Sequence, residues 1–148
     1  METVSVIGDG TAPPESELYR VAVKVGRLIA EKGYALVTGG LFGVMEGASK
    51  GAKEASGLVV GILPHYEELS NPFIDIKIPT GLGHARNVIV VSTSRTVVAI
   101  GGGYGTLSEI GHALKMGKRV LGYKTWGVKG IENYESLDDF LNALSNAI

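Results

Sequence analysis

A repeated change of period is the feature that most constrains this chain. Short β-branched runs alternate with longer stretches whose apolar residues recur every three or four positions, and glycine-rich turns mark several of the strand-to-helix joins. Crossover helices connecting neighbouring parallel strands produce that alternation. VSVI, Val4 to Ile7, reads as the first strand, and the segment from Glu15 to Lys32 sets Leu18, Val21, Ala22, Val25, Leu28 and Ile29 on one helical face. Gly33 ends that helix, YALV (Tyr34 to Val37) is a second strand, and TGGLFG opens a helix through about Ala55. LVVGIL, FIDIKI, TVVAI and RVLGY supply four more strands. PHYEELSNP reads as a polar connection, HARNVIVVSTS as a helix, and the helix after GGGYGT runs to about Met116. A loop through Asn133 and the amphipathic helix SLDDFLNALSNAI complete the chain. Six strands and five helices joined by short connections predict a single-domain, doubly wound α/β fold of Rossmann-like type over residues 1–148, with a mostly parallel sheet of about six strands flanked by helices. A closed eight-stranded barrel needs roughly 250 residues.

Composition narrows the function classes. With 14 Lys and Arg against 15 Asp and Glu, and no basic run interleaved with aromatics, the chain has no electrostatic footprint for polymeric nucleic acid. No apolar run approaches the roughly 20 residues of a membrane helix. METVSVIGDG has neither a basic start nor a cleavable apolar segment, so no membrane contact and a cytoplasmic location are expected. Cysteine is absent, and His65, His84 and His112 lack the spacing of metal ligands, so no metal is predicted.

Three turns are unusually rich in glycine: GDGT after the first strand, GGLFG with Gly39, Gly40 and Gly43 after the second, and GGGYGT after the fifth. In an open parallel sheet such turns emerge together at the carboxyl ends of the strands, where ligands bind, so they can share one crevice. Each also has a plain reading, because glycine fits left-handed backbone and close helix–sheet packing without any ligand. GGGYGT is the strongest, since successive free N–H groups at a helix start form an anion cradle. No Lys follows it as in a triphosphate loop, and GDGTAP has Pro13 where a dinucleotide fingerprint needs its third glycine. A monophosphate suits the single cradle. Thr106 and Glu109 have the spacing of a capping box. Arg86 opens a helix, where a cation opposes the macrodipole, and Glu109 is its expected partner; the plain alternative is a surface ion pair. Glu109 itself, near a helix N-terminus, is expected to be ionised, which fits a base or cation stabiliser rather than a general acid.

These segments resemble the LOG-like proteins, often labelled lysine-decarboxylase-like, within the Rossmann-like nucleotide-binding group. TGGLFGVMEGASKGA is similar to the family's second-strand motif, GILP to its third strand, and GGGYGTLSE to its P-G-G-x-G-T-x-x-E signature. The resemblance implies that Gly102, Gly103, Gly105 and Thr106 hold the 5′-phosphate of a nucleoside monophosphate. It also implies that Glu109 and Arg86 hydrolyse the N-glycosidic bond to free base and ribose 5-phosphate. Two departures stand out: Gly101 replaces the signature's Pro, and Asn87 follows Arg86 where cytokinin-activating members have Lys. TGLGHARN is more similar to a branch near the molybdenum-cofactor carriers, which leaves a non-catalytic nucleotide or cofactor carrier as the alternative. The implied partner is a small nucleoside monophosphate or phosphorylated cofactor. No resident cofactor is expected, since the decarboxylase label would require pyridoxal phosphate and nothing marks out a Schiff-base Lys. VIVVSTS has too little polar face for a solvated helix, so a homodimer or homotetramer is expected, as the resemblance also implies.

Overall fold

Strand residues that are apolar on both faces need helices on both sides of their sheet, and the chain is built that way. A computed structural model describes residues 1–67 and 69–148; Glu68, in the PHYEELSNP connection, lies outside the described residues. Seven parallel strands, β1 (Thr3–Gly8), β2 (Ala35–Thr38), β3 (Val59–Leu63), β4 (Ile76–Pro79), β5 (Thr96–Ile100), β6 (Arg119–Tyr123) and β7 (Glu132–Tyr134), form one sheet in the order β4-β3-β2-β1-β5-β6-β7. The helices are α1 (Glu17–Glu31), α2 (Val44–Glu54), α3 (Asn87–Ser92), α4 (Tyr104–Lys115) and α5 (Leu137–Ala147), with a 3-10 turn at Gly83–Arg86. Period-2 alternation divides β5 between two cores. Val98 and Ile100 pack with residues of α1, α2 and α5, while Val97 and Ala99 pack with Val90 and Val91 of α3 and Ile110 and Ala113 of α4.

The doubly wound α/β fold stands as expected, with one strand more than the six anticipated. β7 straddles the end of the segment expected to be a loop through Asn133, and the FIDIKI strand begins only at Ile76. The helix expected over HARNVIVVSTS shrinks to α3 behind the 3-10 turn. Val90 and Val91 are buried within the chain, whereas Val88 and Ile89 are half-buried, so much of the helix's apolar character is satisfied without a second subunit. No described helix is long and apolar enough to cross a membrane.

Glycines decide how closely α1 and α2 lie. A Cβ on Gly26 would overlap the Ala48 carbonyl, one on Gly51 would overlap that of Val23, and one on Gly47 would come within 2.8 Å of Tyr19 O. The helices therefore meet backbone to backbone. Tyr19, buried at this seam, closes it by donating from its hydroxyl to Glu46 Oε2 at 2.6 Å. The chain runs outward from β1 to β4 and then returns to β5 beside β1, so α1 and α4 leave adjacent strands on opposite faces. That reversal makes the ends of β1 and β5 the switch point where such sheets open a crevice.

Candidate functional site

A cleft of about 510 Å³ lies at this switch point. The turn after β1 contributes Gly8, Asp9, Gly10 and Thr11; the β2 turn and α2 contribute Gly39, Leu41 and Met45. His84 and Arg86 enter from the 3-10 turn, Asn87 from the start of α3, Gly102 and Gly103 from the turn after β5, and Gly105, Thr106 and Glu109 from α4. Of the residues singled out in the sequence, Gly40 and Gly43 do not line it. A Cβ at Gly40 would overlap Leu63, and one at Gly43 would overlap Asp9 O, so both are packing positions behind the wall. A second cavity, of about 370 Å³, opens at the opposite end of the sheet among Met1, Tyr34, Arg95 and Ile148 and has no glycine turn.

The start of α4 carries no side-chain cap. Its N-cap is Gly103, so Thr106 already lies inside the helix and the capping box expected from Thr106 and Glu109 does not form. The amides of the first turn are thus left without an intrahelical or side-chain partner among the described residues. Gly103 O accepts the first helical bond from Leu107 N at 3.0 Å and a second from Trp126 Nε1 at 3.0 Å, which braces the turn from outside. Gly102 has φ 106° and its Cβ position is filled by the Thr106 side chain, so only glycine fits there. Above Gly103 and Gly105, by contrast, nothing among the described residues stands within 4 Å of a Cβ position. Bare amides beside open space are the geometry that accepts an anion.

Arg86 is only 5% exposed, and its guanidinium serves backbone carbonyls. Nε donates to Ile62 O at 2.8 Å, Nη2 to Gly39 O at 3.2 Å, and Nη1 to Asn87 Oδ1 at 3.2 Å and to Gly83 O at 3.4 Å. The ion pair expected with Glu109 is absent from the salt bridges among the described residues. Burial pushes the Arg86 pKa down while the Glu109 charge opposes that shift; a guanidinium stays charged regardless.

Glu109 lies one helical turn beyond Thr106, is 9% exposed and lines the cleft. Burial pushes its pKa up to about 8, and the nearby Arg86 only partly offsets this. The expectation of an ionised Glu109 is therefore corrected: losing water outweighs the charge of the arginine, and the carboxyl keeps its proton at neutral pH. A protonated carboxyl facing a cleft is a proton donor.

Asp9 went unremarked in the sequence. Its Oδ1 accepts from Thr11 N at 2.8 Å and from Thr11 Oγ1 at 2.6 Å, closing the GDGT turn. The available signal was an Asp two residues before a Thr directly after a strand, an arrangement that folds as an Asx turn.

Residues 1–146 match the SLOG cluster4 family. The chain belongs to this family. This SLOG cluster4 protein is 51% identical to an uncharacterized protein of Archaeoglobus fulgidus, an alignment covering 94% of this chain and 91% of that one. It is 29% identical to the cytokinin riboside 5′-monophosphate phosphoribohydrolase of Mycobacterium tuberculosis, over 95% of this chain and 82% of the enzyme. Among solved structures, it superposes on the molybdenum cofactor binding protein of Rippkaea orientalis with a TM-score of 0.88 and 37% identity, over 99% and 96% of the two chains. Relatives of both kinds fit a LOG-like protein near the molybdenum-cofactor carriers, as the motifs imply.

Proposed function

We propose that this protein is a cytoplasmic nucleoside 5′-monophosphate phosphoribohydrolase, with the phosphate on the Gly102–Thr106 turn and Glu109 as the general acid. One juxtaposition carries the reading: an uncapped glycine turn and a protonated carboxyl one helical turn away open onto the same cleft. One turn is roughly 5 Å, the scale of a ribose bridging a phosphate and a base. Glu109 gives its proton to the departing base as the glycosidic bond breaks with oxocarbenium character, and the carboxylate left behind takes a proton from the water that adds at the anomeric carbon, which leaves ribose 5-phosphate and restores the acid. Arg86 has five N–H donors and commits most of them to carbonyls, so it acts by fixing the walls of the cleft and lending positive charge. The likeness to the mycobacterial phosphoribohydrolase supports this reading.

Full-length likeness to a molybdenum cofactor binding protein favours a second reading, in which the same turn holds a phosphorylated pterin or nucleotide as cargo without turnover. One experiment separates the two. The purified protein is incubated with AMP, GMP, IMP and CMP, and free base and ribose 5-phosphate are measured; release assigns the hydrolase, and binding without release assigns the carrier. Assembly as a homodimer or homotetramer remains part of the proposal, and sedimentation at micromolar concentration tests it.

A further inference from the structure

The three strand-end turns are not equivalent to a ligand in the cleft. Because β1 lies between β2 and β5, a molecule seated on the β5 turn and reaching toward the β2 turn must cross the end of β1. Asp9 stands there. Its backbone is fixed on both sides: its N–H donates to Ile100 O at 3.1 Å, and its carbonyl accepts from Val44 N at 2.8 Å. Its side chain is fixed by Thr11 through Oδ1, while Oδ2 has no hydrogen-bond partner among the described residues. The residue is half-buried and lines the cleft that Thr106 and Glu109 enter from the other side.

A carboxylate oxygen accepts and does not donate, so its natural partner in a ligand is an O–H or N–H, not another anion. The phosphate is therefore excluded as the group Asp9 reads, and their like charges keep them apart. Between the phosphate and the base of a nucleotide, the donors are the ribose hydroxyls. We propose that Asp9 Oδ2 accepts a hydrogen bond from a ribose hydroxyl, which makes Asp9 the residue that selects ribosyl over deoxyribosyl phosphates. This rests on the cleft being the site of a ribosyl monophosphate, whether that ligand is hydrolysed or only held.

The test is calorimetric binding of AMP and GMP, each against its 2′,3′-dideoxy counterpart, to wild type, Asp9→Asn and Asp9→Ser. Asn keeps an Oδ1 for Thr11 and turns the second position into a donor; Ser keeps the turn but removes the second oxygen. Wild type is expected to prefer the ribonucleotides by about 10-fold, the scale of one hydrogen bond to a charged group. Asp9→Ser should bring the ratio to within about 2-fold, Asp9→Asn should lower it less because its amide N–H can donate to a hydroxyl oxygen, and both should bind inorganic phosphate as well as wild type or better, which also reports an intact fold. A preference that persists undiminished in Asp9→Ser while phosphate still binds overturns the assignment of Asp9 alone, as does a wild type that binds both nucleotide forms equally. A wild type that binds neither form removes the ribosyl monophosphate reading and this inference with it.

Discussion

Gly39 and Arg86 are fitted to each other at two points. Arg86 Nη2 donates to Gly39 O at 3.2 Å, and a Cβ on residue 39 would stand 2.9 Å from the same nitrogen and 2.9 Å from Met45 Sδ. Gly39→Ala therefore forces the guanidinium or the β2 turn to move, at a cost of about 1–3 kcal/mol. Denaturant unfolding should register that loss, and calorimetry should show weaker AMP binding because the cleft wall shifts with it. A variant as stable as wild type, with unchanged affinity, would show that the turn adapts freely.

Arg86→Ala should unfold more easily still, by about 2–5 kcal/mol, because the carbonyls of Ile62 and Gly39 lose a charged donor inside the protein. Arg86→Lys should recover only part of this, since an ammonium cannot reproduce the planar fork. Loss of turnover in either variant is thus evidence about chemistry only at temperatures where both remain folded, as circular dichroism would establish.

Glu109 should give stability a pH dependence of unusual sign. The native carboxyl holds its proton up to about pH 8, whereas an unfolded one releases it near 4.5. Between those values the native state binds the extra proton, so this group's contribution falls as pH rises, by at most ~1.4 kcal/mol per pH unit, and levels off above about pH 8. Glu109→Gln resembles the protonated carboxyl and does not titrate. Its unfolding free energy should lack this slope and exceed that of wild type above pH 8. In the hydrolase reading, wild-type turnover should decline above about pH 8 as the acid is lost, and Glu109→Gln should be slower by at least about 10²-fold. Equal pH–stability profiles for the two proteins would mean that Glu109 is ionised in the fold.

Much of this was legible because it depends on local pattern. β-branched runs marked six strands, and glycine density marked the three turns that meet in the cleft. What escaped depends on distance through space. β7 has only three half-buried residues and no β-branched run, so nothing in its periodicity distinguishes it from a loop. The capping box failed because α4 starts at Tyr104, two residues before the Thr that fitted the motif. Arg86 was assigned a carboxylate because side chains can be counted in a sequence, whereas the carbonyls that actually hold it come from the ends of β2 and β3 and from the 3-10 turn. The protonated Glu109 follows from burial, which its position near a helix start does not disclose.

The seam between α1 and α2 should be intolerant of a single methyl group. At Gly26 and Gly51 an added Cβ meets backbone oxygen, which cannot rotate away as a side chain can. Gly26→Ala and Gly51→Ala should each destabilise by about 1–3 kcal/mol or more, although alanine is the better helix former. Thermal melts check this, and a variant with a raised midpoint would show that the helices can separate without loss.

Gly105→Ala reverses that relationship and isolates the phosphate cradle. Gly105 lies within the first turn of α4, where alanine is favoured over glycine by up to about 1 kcal/mol, and its Cβ would meet nothing within 4 Å among the described residues. The variant without ligand should therefore be as stable as wild type or slightly more so. The open space it fills lies along the cleft beside the uncapped amides, so affinity for inorganic phosphate and AMP should fall by about 10-fold or more. Glycine here would then be kept for the ligand at the expense of the helix. Unchanged affinity in a stabilised variant would move the anion site away from this turn, and lost affinity in a destabilised one would leave packing as the explanation.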